Sequence, residues 1–109
     1  MTIVRIWSGI TLATNAEQYF DFLKKTFIPA CQTAEGNKGL LIMKALQGEL
    51  IHFLLVSFWV SEQALADFAA SDGDEVVNPS PEEKRLLLAF ESTARHYNVL
   101  YRSEVHEGE

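Results

Sequence analysis

Three histidines, His52, His96 and His106, are the whole imidazole inventory of the chain, and any proton transfer near neutral pH falls first to them. His96 is the first candidate for a general base and His52 the second. Both lie in β-branched, aromatic stretches that read as strands, where a base can be held in a dry apolar pocket. His106 falls in a charged C-terminal tail. Two tryptophans, Trp7 and Trp59, offer flat apolar walls on which a planar ligand can stack. Each has a plainer alternative: a histidine bonded to backbone, or an aromatic that simply fills the core.

Other chemistry is scarce. The single cysteine, Cys31, permits no internal disulfide and reads as a small buried apolar residue in a helical stretch. The sequence has no phosphate-cradling glycine loop, no nucleophile elbow and no pair of His or Cys at metal-ligand spacing. No metal and no cofactor are therefore expected. Asp72, Asp74, Glu75, Glu82 and Glu83 fall in loops or at helix starts, where solvation and capping account for them.

The elements that must hold these residues can be read from spacing. Residues 3–9 are β-branched and aromatic and form strand one, which stops at Gly9, Thr11 and Thr14. Thr14 and Glu17 make a capping box for helix one. In that helix Ala16, Tyr19, Phe20, Leu23, Phe27 and Ala30 share one face, and Pro29 kinks or restarts it before an end near Glu35 and Gly36. A loop over 36–39 leads to a hairpin, 39–46 and 50–60, linked at Gln47-Gly48-Glu49. Ser61 caps a second helix over 62–71, and a polar loop spans 72–78. Ser80-Pro81-Glu82-Glu83 then starts a third helix, with Glu83 reciprocating the cap. Strand four covers 94–102, with His96, Asn98 and Leu100 on one face and Tyr97, Val99 and Tyr101 on the other.

This order is that of a ferredoxin-like α+β unit, βαββαβ, with a four-stranded antiparallel sheet and helices on one face. Residues 1–102 make one domain and 103–109 a charged tail. The third strand alternates between Ile51, Phe53, Leu55, Ser57, Trp59 and Leu50, His52, Leu54, Val56, Phe58, so neither face is polar. One helical layer leaves the second face of such a sheet uncovered, which predicts a homodimer by sheet-on-sheet packing.

Composition bounds the partners. At 109 residues, 48% hydrophobic and with a net charge of −6, the chain suits one globular domain. It lacks the Lys/Arg surplus that nucleic acid or an anionic membrane surface requires. No apolar run approaches the roughly 18 residues of a membrane span, and the N-terminus has no signal-peptide layout. A soluble cytoplasmic protein is expected.

The stretch Trp59-Val-Ser61-Glu-Gln-Ala64-Leu65-Ala-Asp-Phe68 carries a resemblance. A strand-ending tryptophan leading into a capped helix with Ala-Leu-x-x-Phe resembles the antibiotic biosynthesis monooxygenase family of small dimeric α/β-barrel proteins. Arg5-Ile-Trp7-Ser-Gly9 and His96-Tyr97-Asn-Val99 are similar to a branch whose members mostly lack an assigned substrate. The resemblance implies the same dimeric barrel and, by analogy, cofactor-free oxidation of electron-rich aromatics by O2, or haem degradation in a sister branch. The polyketide-oxidising branch has an asparagine four residues before the tryptophan and a tyrosine on the next helix, where this chain has Leu55 and Leu65; the resemblance implies that these two, with Phe68, line the ligand site. The haem-degrading branch has an asparagine, a tryptophan and a histidine at positions resembling Ser8, Phe68 and Asn78, so its iron ligand is missing here.

Three roles follow. The first is a cofactor-independent monooxygenase acting on a quinol or polycyclic phenol. The second is a non-catalytic dimer that binds a small hydrophobic molecule or has lost its ancestral chemistry, and the third a purely structural or partner-binding dimer with no ligand.

Overall fold

The computed structural model describes residues 2–70 and 75–103. Its centre is β1 (Ile3–Leu12), flanked by β3 (Leu50–Trp59) and β6 (Thr93–Asn98), with β2 (Asn37–Gln47) outside β3. All the pairings are antiparallel. The ferredoxin-like frame is thus present, and two short strands enlarge it to a six-stranded open sheet: β4 (Glu75–Val76) pairs with β6, and β5 (Ala89–Phe90) lies against β1. The expected polar loop over 72–78 therefore contains a strand; residues 71–74 and the tail beyond 103, with His106, lie outside the described residues.

β1 runs three residues past the expected stop because β3 is long enough to pair with Thr11 and Leu12. Gly9 lies within the strand and meets Leu87, whose Cδ2 is 2.9 Å from where a Cβ would stand. The Thr14 cap does not form: Ala13–Asn15 make a 3-10 turn, and α1 (Ala16–Lys25) begins without a side-chain cap. The break from α1 to α2 (Phe27–Thr33) falls at Thr26, earlier than Pro29 itself. Pro29 cannot donate to Lys25, and its ring crowds that carbonyl, so the chain turns before it and places Pro29 in the first turn of a new helix. Ser61 caps α3 (Glu62–Ala69), accepting from the Ala64 amide, and Ala70 closes it in the left-handed conformation. Ser80 likewise caps α4 (Pro81–Leu86).

The helices cover one face. The odd residues of β1 and β3 point into that layer, where two clusters meet at Phe27: Trp7, Tyr19, Leu23, Ile51, Phe53, Leu55 and Ala94 in one, Ile3, Cys31, Trp59 and Leu65 in the other. On the opposite face lie Val4, Ile6, Leu54, Val56 and Phe58, with Leu41, Met43 and Tyr97 between 42% and 49% exposed.

Candidate active site on the helix-covered face

Register places three inner-face rungs side by side. Trp7 lies opposite Leu55, Arg5 opposite Ser57 and His96, and Ile3 opposite Trp59. A polar rung thus runs between two aromatic ones. A buried arginine requires a partner, and β4 supplies it: Glu75 pairs opposite Ala94, two residues from His96 on the same strand. Arg5 Nε donates to Glu75 Oε1 and Arg5 Nη2 to Oε2, each at 2.8 Å, and His96 Nε2 lies 2.9 Å from Oε1. Arg5 and Glu75 are 6% and 7% exposed, and the guanidinium sits 5.7 Å from the centre of the Phe27 ring.

Two opposing effects act on the Glu75 carboxyl. Burial pushes its pKa up, but hydrogen bonds and charge from Arg5 and His96 outweigh burial and hold it below the usual range. Glu75 is therefore ionised at neutral pH.

Tyr19, fully buried on α1, donates to Glu83 Oε2 at 2.9 Å. Burial and the adjacent Glu83 carboxylate raise the Tyr19 pKa strongly. Burial also raises that of Glu83, offset in part by the Tyr19 hydrogen bond and the Arg5 charge. Burial takes the Cys31 thiol up to about 11 despite Arg5, so it is an inert core group. Trp7 Nε1 donates to the Glu91 carbonyl at 2.7 Å and Trp59 Nε1 to Ser57 Oγ at 2.9 Å. Phe68 packs on Trp59 with ring centres 4.7 Å apart.

Of the residues singled out from the sequence, His96, Trp7, Trp59, Phe68, Leu55 and Leu65 share the helix-covered face, and His96 lies on the rung between the two tryptophans. Trp7, Trp59, Leu55 and Leu65 are core, at most 3% exposed. His52 lies on the opposite face, between Ile10 and Ala45, and does not meet His96. Ser8 also alternates to that face, away from Phe68. Two expectations are overturned: Glu75 is a buried ion-pair partner, not a solvated acid, and Glu83 bonds Tyr19, while its amide alone engages the Ser80 cap. The sequence held one signal for this cluster, Arg5 between Ile3 and Trp7 at the odd positions of the first strand; nothing in it paired Arg5 with Glu75.

A separate groove of about 490 Å³ opens between the start of α1 and the β2–β3 hairpin, lined by Phe20, Ile42, Met43, Ile51 and Phe53 with Glu17 and Lys44. No histidine among the described residues lines it. Among the described residues no group of three or more His, Cys, Asp or Glu is placed to hold a metal ion, and no helix is long and apolar enough to cross a membrane.

Solved structures share this architecture. A Bacillus cereus protein named for the antibiotic biosynthesis monooxygenases superposes with a TM-score of 0.65 at 14% identity, covering 99% of this chain and 100% of its own. A Deinococcus radiodurans protein of the same name gives 0.65 at 17%, covering 98% and 100%. The chain has their fold. The haem-degrading protein Rv3592 of Mycobacterium tuberculosis shares it too, with a TM-score of 0.58 at 18% identity over 95% of this chain and 100% of that one. No protein-family model and no curated protein matches the sequence.

Proposed function

We propose that this protein is a cofactor-independent monooxygenase acting on a small electron-rich aromatic, a quinol or polycyclic phenol, with His96 as its base. The observation that carries the reading is the ion-paired Glu75 carboxylate 2.9 Å from His96 Nε2 on the helix-covered face. Ground-state O2 is a triplet and reacts slowly with closed-shell organic molecules. A phenolate, however, is electron-rich enough to pass it one electron, so deprotonating the phenol in a site shielded from bulk water is the enabling step. The reaction balances without an external reductant. A phenol with an unsubstituted para carbon and one O2 give the quinone and water: one oxygen enters the ring and the other leaves with two hydrogens. The fold shared with proteins named as monooxygenases supports the class of reaction, and their names say nothing of this chain's substrate.

The active unit is a homodimer joined through the open sheet face, supported by the partly exposed Leu41, Met43 and Tyr97 on that face. The test is anaerobic binding of a panel of hydroxylated naphthalenes and naphthoquinols, followed by O2 uptake on aeration. Binding with uptake that falls about 100-fold in His96→Ala is expected, the usual scale of a general base. Equal turnover in that variant removes His96 from the mechanism.

The groove beside α1 favours a second reading, a non-catalytic dimer that holds a small hydrophobic molecule. It is mostly apolar, of ligand size, and lined by no histidine among the described residues. Saturable binding with no O2 uptake across the panel selects it.

A further inference from the structure

The reading of His96 as a base leaves open which ring nitrogen acts, and the surroundings of Glu75 answer it. We infer that Glu75, clamped by Arg5, is a positioning residue that holds His96 as its Nε2–H tautomer and leaves Nδ1 as the nitrogen that takes the substrate proton.

An ionised carboxylate is an acceptor only. Glu75 Oε1 stands 2.9 Å from His96 Nε2, so Nε2 must carry the hydrogen whether the ring is neutral or charged. In the neutral ring Nδ1 then holds the free lone pair. Arg5 fixes Glu75 through both carboxylate oxygens, and that two-pronged grip sets the plane of the carboxylate and so the direction from which it can accept. The relay crosses three strands: Arg5 from β1, Glu75 from β4 and His96 from β6. The proton balance is simple. The phenol O–H bond breaks, its hydrogen forms an N–H bond at Nδ1, the electron pair stays on oxygen, and the resulting imidazolium faces the carboxylate. Glu75 touches no substrate and acts only through His96.

Nitrogen-15 spectra of histidine-labelled wild-type protein, taken where the ring is neutral, read the tautomer directly. The expected result is a resolved, slowly exchanging Nε2–H signal for His96 with Nδ1 unprotonated. An Nδ1–H signal overturns the inference. Glu75→Asp shortens the side chain by one methylene while keeping a charge for Arg5; it should lose the slow exchange at Nε2 and reduce O2 uptake at least ~10-fold while phenol binding holds. Glu75→Gln keeps a carbonyl acceptor and should retain the Nε2–H signal. A Glu75→Asp protein with wild-type exchange and wild-type uptake also overturns the inference. The inference rests on the proposed oxidation, and the two fail differently. A wild-type Nε2–H signal without O2 uptake on any phenol removes the reaction and the base, and leaves the positioning of His96 standing.

Discussion

Arg5 and Glu75, seventy residues apart, meet through two hydrogen bonds of 2.8 Å on the helix-covered face. Removing one partner strands the other's charge away from water, so Glu75→Ala should cost about 3–5 kcal/mol in urea unfolding. Arg5→Met with Glu75→Met should cost much less than the two single changes summed, because neither charge is then left alone. The pH dependence has a definite sign. The folded Glu75 carboxyl lies below its unfolded value, so its contribution is complete above the unfolded glutamate pKa of about 4.3 and is lost as pH falls through the lower folded value. A stability difference between wild type and the Arg5→Met/Glu75→Met double variant that stays unchanged between pH 5 and pH 3 would count against the pair.

Tyr19 and Glu83 oppose that trend. The folded Glu83 carboxyl lies above its unfolded value, chiefly through burial, so the native state binds its proton more tightly than the unfolded chain. Stability from this group falls as pH rises from about 4.3 through the folded pKa. Glu83→Gln keeps an acceptor for the Tyr19 hydroxyl and removes the buried charge. Its unfolding midpoint should match or exceed wild type at pH 7 and lose that advantage near pH 4. Tyr19→Phe removes the donor and should cost about 1.5–3 kcal/mol at pH 7, the range for hydrogen bonds to charged groups.

Thr11 is fully buried, and its Oγ1 has no hydrogen-bond partner among the described residues. A hydroxyl buried without a partner costs about 1–3 kcal/mol. Thr11→Val nearly preserves shape and should therefore raise the thermal midpoint. A lower midpoint would show that the hydroxyl has a partner after all, such as an ordered water.

Gly36 closes the turn into β2 at φ +87°, and a Cβ there would stand 2.5 Å from Ala64 Cβ on α3. Gly36→Ala combines left-handed strain, of order 1 kcal/mol or more, with displacement of α3. Amide exchange in Glu62–Ala69 should accelerate more than in β1, whereas Gly48→Ala, with open space around it, should show the strain alone.

Alternation in β1 and β3 made the frame readable, since a period of two fixes which side chains share a face. The same alternation set Trp7 and Trp59 on one face and His52 on the other. Cap chemistry was legible where the side chain is free, as at Ser61 and Ser80. It misled where a tertiary contact competed, as at Glu83, whose carboxyl bonds Tyr19 sixty-four residues away. Glu75 was illegible for the same reason: a two-residue strand carries no periodicity, and only pairing with β6 buries it.

The open sheet face makes the last prediction. Leu41 is 49% exposed, and its register neighbour Val56 lies near the middle of that face. In a single chain a charge at position 41 reaches water and should change stability by no more than about 0.5 kcal/mol. Across a sheet-on-sheet contact the same charge would be buried without a partner, at a cost of several kcal/mol for each copy. Leu41→Glu should therefore leave the far-UV circular dichroism unchanged and convert a dimer to a monomer in sedimentation velocity. Lys24→Gln, an equal charge change on the helical side, should leave the sedimentation of the wild type unchanged. A Leu41→Glu protein that sediments as wild type would place the subunit contact elsewhere, or show that the chain works alone.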